Sequence, residues 1–110
     1  MLFVTEAQNG QTLPLTLGET LNLQLPENAT TGYRWAIDQY DAEALELITT
    51  TAQYPTEPMG SAGEINFDFQ SKQTGLTQIH LKYWRHWEGD ASVTQRFTLG
   101  IDVQPPKKSG

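Results

Sequence analysis

Short apolar alternations, each too brief for a helix, run through this chain and constrain its fold more than any other feature. Leu21, Leu23 and Leu25 alternate with Asn22 and Gln24; Ile65, Phe67 and Phe69 with Asn66 and Asp68; Ile79, Leu81 and Tyr83 with His80 and Lys82. Phe97, Leu99, Ile101 and Val103 close the series. A period of two sends successive side chains to opposite faces of a strand, so each segment has one face to bury and one to wet. Leu13, Leu15 and Leu17 repeat the pattern around Pro14, which cannot donate to a ladder and therefore marks an edge or bulged strand. Tyr33, Trp35 and Ile37 repeat it again and predict a strand over 33–39. The apolar run 2–5 predicts a first strand, and the Thr- and Ile-rich run 45–54 another. No segment of useful length carries the period of an amphipathic helix, although 40–44 has room for one helical turn. Seven or eight short strands in a chain of 110 residues predict an all-β fold, an antiparallel β-sandwich.

Composition narrows what such a sandwich does. A chain of 110 residues suits one domain with one core. Its expected bounds are 1–104, with 105–110 a disordered tail. The net charge of −6 argues against a nucleic-acid partner, because phosphates call for a basic face. No apolar run approaches the ~20 residues that cross a bilayer, so no membrane role is expected. There is no cysteine, hence no disulfide, thiol nucleophile or thiolate metal site. The start, Met1 to Glu6, lacks the basic end and apolar centre of a signal peptide. A cytoplasmic protein, or a processed periplasmic or secreted form, is expected. The two histidines, His80 and His86, make no metal site without a third ligand. Ser61 and Ser92 lack the context of an activated nucleophile. Glu88 and Asp90 flank a loop glycine, as solvated carboxylates do, rather than a substrate. The expectation is a monomeric binding protein without enzymatic activity or cofactor.

The connections then divide into two kinds. If the strands from Glu19 onward reverse direction in turn, 26–32, 55–63 and 85–92 lie at one end, and the bland turns 40–44 and 71–75 at the other. Function is commonly carried on loops held by a rigid scaffold. The first loop, Asn28-Ala29-Thr30-Thr31-Gly32, is small and polar, and Gly32 supplies backbone freedom where it swings into the next strand. The second holds two prolines, Met59, and then Gly60-Ser61-Ala62-Gly63. The third is Arg85-His86-Trp87-Glu88-Gly89. Trp87 either folds back to cap the core or stands out as an anchor. Tyr83 already fills the inward face of its strand and Arg85, His86 and Glu88 surround Trp87, which favours the anchor. The residues alone leave the partner open between a protein cleft and a carbohydrate or cell-surface ligand. Sugar sites usually set aromatics among several side-chain amides, whereas here Trp87 stands with glycines and threonines.

In this order the three loops resemble the chagasin family of cysteine-peptidase inhibitors, whose loops read N-P-T-T-G-x-x-W, G-x-G-G and R-P-W-x-G. The first corresponds to Asn28-Ala29-Thr30-Thr31-Gly32-Tyr33-Arg34-Trp35, the second to Gly60-Ser61-Ala62-Gly63, the third to Arg85-His86-Trp87-Glu88-Gly89. The resemblance spans nearly the whole chain and implies an immunoglobulin-like β-sandwich. It further implies reversible, non-covalent occlusion of the cleft of papain-like cysteine peptidases by three loops. It places Thr31 nearest the target's catalytic cysteine and histidine, and Trp87 against an aromatic or apolar wall of the cleft. The segment from Met59 to Gly63 would grip the other side, partly through its backbone. The peptidase-facing set is then Asn28, Ala29, Thr30, Thr31, Gly32, Met59, Gly60, Ser61, Ala62, Gly63, Arg85, His86, Trp87 and Gly89. Three positions depart from the family pattern: Ala29 and His86 stand where it has proline, and Ala62 where it has glycine.

Overall fold

The computed structural model describes residues 1–28, 31–53 and 63–106, and in it the period-two segments are strands. In chain order they are β1 (Leu2–Thr5), β2 (Thr12–Thr16), β3 (Thr20–Glu27), β4 (Arg34–Tyr40), β5 (Leu45–Gln53), β6 (Gly63–Ser71), β7 (Gly75–Trp84) and β8 (Gln95–Gln104). They form two four-stranded sheets, ordered β1-β3-β6-β5 and β2-β8-β7-β4. The alternating apolar residues meet between the sheets. Leu21, Leu23, Leu25, Ile65, Phe67 and Phe69 from one sheet, and Ile79, Leu81, Phe97, Leu99, Ile101 and Val103 from the other, are all buried. Each such side chain contributes roughly 1.5–3 kcal/mol on leaving water, and this core stabilises the fold without a covalent cross-link. No α-helix occurs among the described residues, and none of their helices is long and apolar enough to cross a membrane. Residues 107–110 of the expected tail lie outside the described residues.

The antiparallel expectation holds from β3 onward: β3 pairs with β6, β5 with β6, β4 with β7 and β7 with β8, all antiparallel. The first two strands differ. β1 runs parallel to β3, and β2 parallel to β8. The chain makes one short 3-10 turn, Glu6–Gln8, between them. Thr5 caps that turn by accepting from the Ala7 N–H, and the Gln8 side chain accepts from the Thr5 N–H in return. The chain thus climbs one sheet along β3, crosses over, and descends the other along β8. Pro14 sits in β2, which is an edge strand, where a missing donor breaks no ladder bond.

Two further differences concern boundaries. β4 begins at Arg34, so Tyr33 belongs to the connection before it. Register shifts between Ile37 and Gln39, and between Leu47 and Thr49, leave Asp38 and Ile48 as extra residues on the two edge strands β4 and β5. Such bulges bend an edge and blunt it against further pairing. The expected residue Tyr54 of the β5 run lies outside the described residues.

Register fixes where the loops emerge. Glu27 lies opposite Gly63, Gln53 opposite Glu64, Arg34 opposite Trp84, and Tyr83 opposite Gln95. The connections 28–33, 54–62 and 85–94 therefore start and finish at one pole. The second and third are hairpin connections, each within its own sheet. The first passes from β3 in one sheet to β4 in the other. At the opposite pole, the buried Ser71 hydroxyl donates to the Thr16 carbonyl at 2.8 Å and accepts from the Gly18 N–H at 2.9 Å, closing that end with a polar staple.

Candidate functional site

The first loop stands on a polar clamp. Following Leu21, Leu23 and Leu25, the next inward position of β3 is Glu27, only 1% exposed. Its Oε1 accepts the Trp35 backbone N–H at 2.9 Å, while the Trp35 indole N–H donates to the Pro26 carbonyl at 2.9 Å. The Asn28 N–H donates to the Tyr83 hydroxyl at 3.2 Å. These bonds tie β3 to β4 and β7 across the gap between the sheets, where an unpartnered amide or carboxylate would be costly. Aromatic packing supports them: the Trp35 and Tyr83 ring centroids lie 5.0 Å apart, and Tyr33 stacks on Tyr83 at 5.4 Å.

Beyond the clamp the loop turns tightly. The Thr31 hydroxyl donates to the Asn28 carbonyl at 2.9 Å and its oxygen accepts the Tyr33 N–H at 3.4 Å. Gly32 then takes φ +79, in the left-handed region. Thr31 itself is exposed.

The third loop is built from two 3-10 turns, His86–Glu88 and Asp90–Ser92. Ser92 holds them together. Its hydroxyl oxygen accepts the Arg85 N–H at 3.0 Å, and it lies 2.7 Å from the Gly89 carbonyl, to which it donates. On the outer side, the Lys82 ammonium lies 3.0 Å from Asp90, 3.5 Å from Asp38 and 3.6 Å from the centre of the Trp84 ring. The hydrogen bond that the Lys82 ammonium donates to Asp90, reinforced by the charges of Asp90 and Asp38, raises its pKa above the ordinary lysine range.

Trp87 projects from this scaffold with 63% of its surface exposed, so it does not cap the core. The His86 ring meets it edge-on, with centroids 5.1 Å apart. On its other side the indole lies over the first loop. A β-carbon built on Gly32 would come within 2.8 Å of Trp87 Cη2. The two loops are therefore fitted to each other, and Gly32 supplies both the backbone turn and the clearance.

Of the residues expected from sequence, the structure gathers Asn28, Thr31, Gly32, Gly63, Arg85, His86, Trp87 and Gly89 at one pole. Ala29, Thr30, Met59, Gly60, Ser61 and Ala62 lie outside the described residues. His80 is apart, on β7, bonded to Gln78 and Thr98. No three His, Cys, Asp or Glu side chains converge on a metal position among the described residues. Sequence reasoning passed over Glu27, Lys82, Tyr83 and Ser92, which hold the loops. Only Glu27 left a signal, a carboxylate occupying an inward position of an apolar alternation.

Comparison with known proteins decides the family. Residues 14–101 match the model of the chagasin family peptidase inhibitor I42. The chain belongs to the chagasin family. Chagasin of Trypanosoma cruzi is 33% identical over 101 residues, spanning 87% of this chain and 92% of its own length. Amoebiasin-1 of Entamoeba histolytica is 31% identical over 101 residues, spanning 92% of this chain and 98% of its own. Among solved structures, the crystal structure of the cysteine protease inhibitor EhICP2 from Entamoeba histolytica aligns with a TM-score of 0.83 over 94% of this chain and 95% of that one. At 24% identity, that likeness concerns the fold, the immunoglobulin-like sandwich of chagasin-family inhibitors. Among the described residues, Asn28 is held by Tyr83, Trp35 by Glu27 and Arg85 by Ser92.

Proposed function

We propose that this protein inhibits papain-like cysteine peptidases reversibly and without covalent bonding, using the 28–33, 54–62 and 85–94 connections as a wedge across the active-site cleft. The observation that carries the reading is Trp87. It is a large indole, mostly exposed, set against Gly32 at the pole that also carries Thr31 and Arg85. An exposed aromatic on a rigid base is the kind of group that becomes a binding hot spot once a partner covers it.

The chemistry of the target suits this wedge. A papain-like site holds a thiolate beside an imidazolium in a narrow cleft. Small residues such as Thr31 and Gly32 enter such a cleft without offering an aligned scissile carbonyl. With no cysteine, the inhibitor has no thiol to form a mixed disulfide with the target. The bonds from Glu27, Tyr83 and Ser92 fix Trp35, Asn28 and Arg85 before encounter, which lowers the entropic cost of binding. The carbohydrate reading gains nothing from the contacts shown for Trp87, which are with His86 and Gly32, neither of them a side-chain amide.

Titration of papain with the protein, followed by peptide-substrate hydrolysis, tests the proposal. Stoichiometric loss of activity, reversed on dilution, is expected. Trp87→Ala should weaken inhibition by about 2 kcal/mol or more, roughly 30-fold, and leave the melting temperature nearly unchanged. Absence of inhibition by the wild type at micromolar concentration would overturn the proposal. So would a Trp87→Ala variant that melts far lower yet inhibits normally.

A further inference from the structure

Arg85 was expected from sequence to face the peptidase. Its side chain turns instead toward the first loop. Its Nε–H donates to the Thr31 carbonyl at 3.0 Å, and its guanidinium carbon lies 4.5 Å from the centre of the Tyr33 ring. Its Nη1 reaches the Glu88 carboxylate at 3.4 Å. Its backbone is fixed by Ser92. Only about a third of the side chain, 35%, remains exposed. Tyr33 stacks on Tyr83, which packs on the buried Trp35, so the guanidinium tops an aromatic column that descends into the core.

We propose that Arg85 is a positioning residue that locks the first and third loops into one unit in the free protein, and that it does not serve as a charge presented to the peptidase. The inference rests on the inhibitory reading above and names the internal device that makes it work. A guanidinium suits the task for two reasons. Its planar face lies on Tyr33 while its edge donates in the same plane to a carbonyl, which a lysine ammonium does not reproduce. A carbonyl held by a cationic donor is also held more firmly than by a neutral one. The held group is the carbonyl of Thr31, the residue that the chagasin-family motif places at the tip of the wedge. Arg85 and the Trp87–Gly32 contact thus fasten the same three residues, 31–33, from the same short turn.

Lysine separates the two roles, because Arg85→Lys keeps the charge and loses the directed donor and the stacking face. If Arg85 is a clamp, Arg85→Lys and Arg85→Ala should both weaken papain inhibition, by about tenfold or more, and to a similar degree. Tyr33→Leu should weaken it too, and the Arg85→Ala/Tyr33→Leu double variant should be no weaker than the worse single one, as for groups acting together. A second measurement needs no peptidase. In the free protein, the amide protons of Thr31, Gly32 and Tyr33 should exchange with solvent about tenfold faster in both Arg85 variants, while amides of β6 stay unchanged. Arg85→Lys inhibiting within threefold of wild type while Arg85→Ala fails would overturn the clamp and assign Arg85 to the peptidase. Additive losses in the double variant, or unchanged exchange at 31–33, would also overturn it. If the wild type fails to inhibit papain, the inhibitory reading falls, and the exchange measurement still decides whether the clamp exists.

Discussion

Gly32→Ala tests the fit between the first and third loops most sharply. Gly32 has φ +79, where an L-residue costs roughly 1–2 kcal/mol relative to glycine. The new methyl would also lie 2.8 Å from Trp87 Cη2 and 3.2 Å from Cζ2, closer than carbon atoms tolerate. The indole is exposed and not locked in the core, so it will swing away rather than unfold the domain. Binding then requires the loop to return to its strained turn and the indole to a seat it no longer has. The backbone contributes about 1–2 kcal/mol against binding, and the displaced aromatic up to about 2 kcal/mol. Together they amount to roughly 1–4 kcal/mol, or about a 5- to 700-fold rise in the inhibition constant. Gly18→Ala is the matched control. Gly18 has φ +86 with nothing within 4 Å of a built β-carbon, and it lies at the opposite pole. It should lower the melting temperature by several degrees, about 4–8 °C per kcal/mol for a domain of this size, and leave inhibition untouched. The assay is a pair of inhibition constants against papain with thermal melts of the same samples. If Gly32→Ala inhibits within threefold of wild type while Gly18→Ala shows its stability loss, the coupling between Gly32 and Trp87 is not part of the binding surface and the reasoning fails.

Three further expectations concern the supports. Glu27→Ala leaves the buried Trp35 N–H without its acceptor and should cost about 1–3 kcal/mol of stability; Glu27→Gln, which keeps an Oε1 acceptor, should recover much of the loss, and equal melting temperatures for the two variants would refute the clamp. Lys82→Met frees Asp90 and should weaken inhibition by loosening the third loop. Because the Lys82 pKa is raised above 10.5, chiefly by its hydrogen bond to Asp90, the stability this bridge adds is full below that pH and is lost only as pH rises through the higher folded value. The melting difference between wild type and Lys82→Met should therefore persist from neutral pH to 10.5 and shrink beyond it; a difference that vanishes between neutral pH and pH 9 would contradict the assignment. Finally, mass spectrometry of a dissociated complex with papain should return the intact chain and active enzyme, and stoichiometric acyl-enzyme or cleavage within 28–32 would rule out a non-covalent wedge.

The core was readable because period two is a physical requirement of a half-buried strand. Leu21, Phe67, Leu81 and Leu99 are buried where that period puts them. Strand direction was not readable for β1 and β2, because a four- or five-residue apolar run carries no mark of whether its neighbour runs with it or against it. The bulges at Asp38 and Ile48 were hidden for a similar reason: one extra residue shifts a register without changing composition. At the site, the common pole of Thr31, Gly32, Arg85 and Trp87 followed from the alternating direction of the strands. What held them did not. Arg85 reads as an exposed cation in sequence, and its direction depends on Ser92 behind it and Tyr33 beneath it, residues brought together only by the fold. Glu27 lies between these cases: it extends the alternation of Leu21, Leu23 and Leu25 by one step, but assigning 26–32 to a loop hid this, and nothing in the sequence names Trp35 as its donor.

The way the strands run also settles how this domain meets its surroundings. The Met1 amino group lies 3.7 Å from the Glu19 carboxylate, and Gln104, at the end of β8, pairs with Thr16 and accepts the Leu17 N–H at 2.8 Å. Both ends of the sandwich thus hang from the pole opposite the loops. A carrier, a resin or a second copy attached there leaves the indole and its neighbours facing outward. Two copies joined back to back by a flexible tether, whose span grows as about 5–6 Å times the square root of its length in residues, present two wedges in opposite directions. Such a pair suits targets displayed in arrays, where tethering raises local concentration without any new contact.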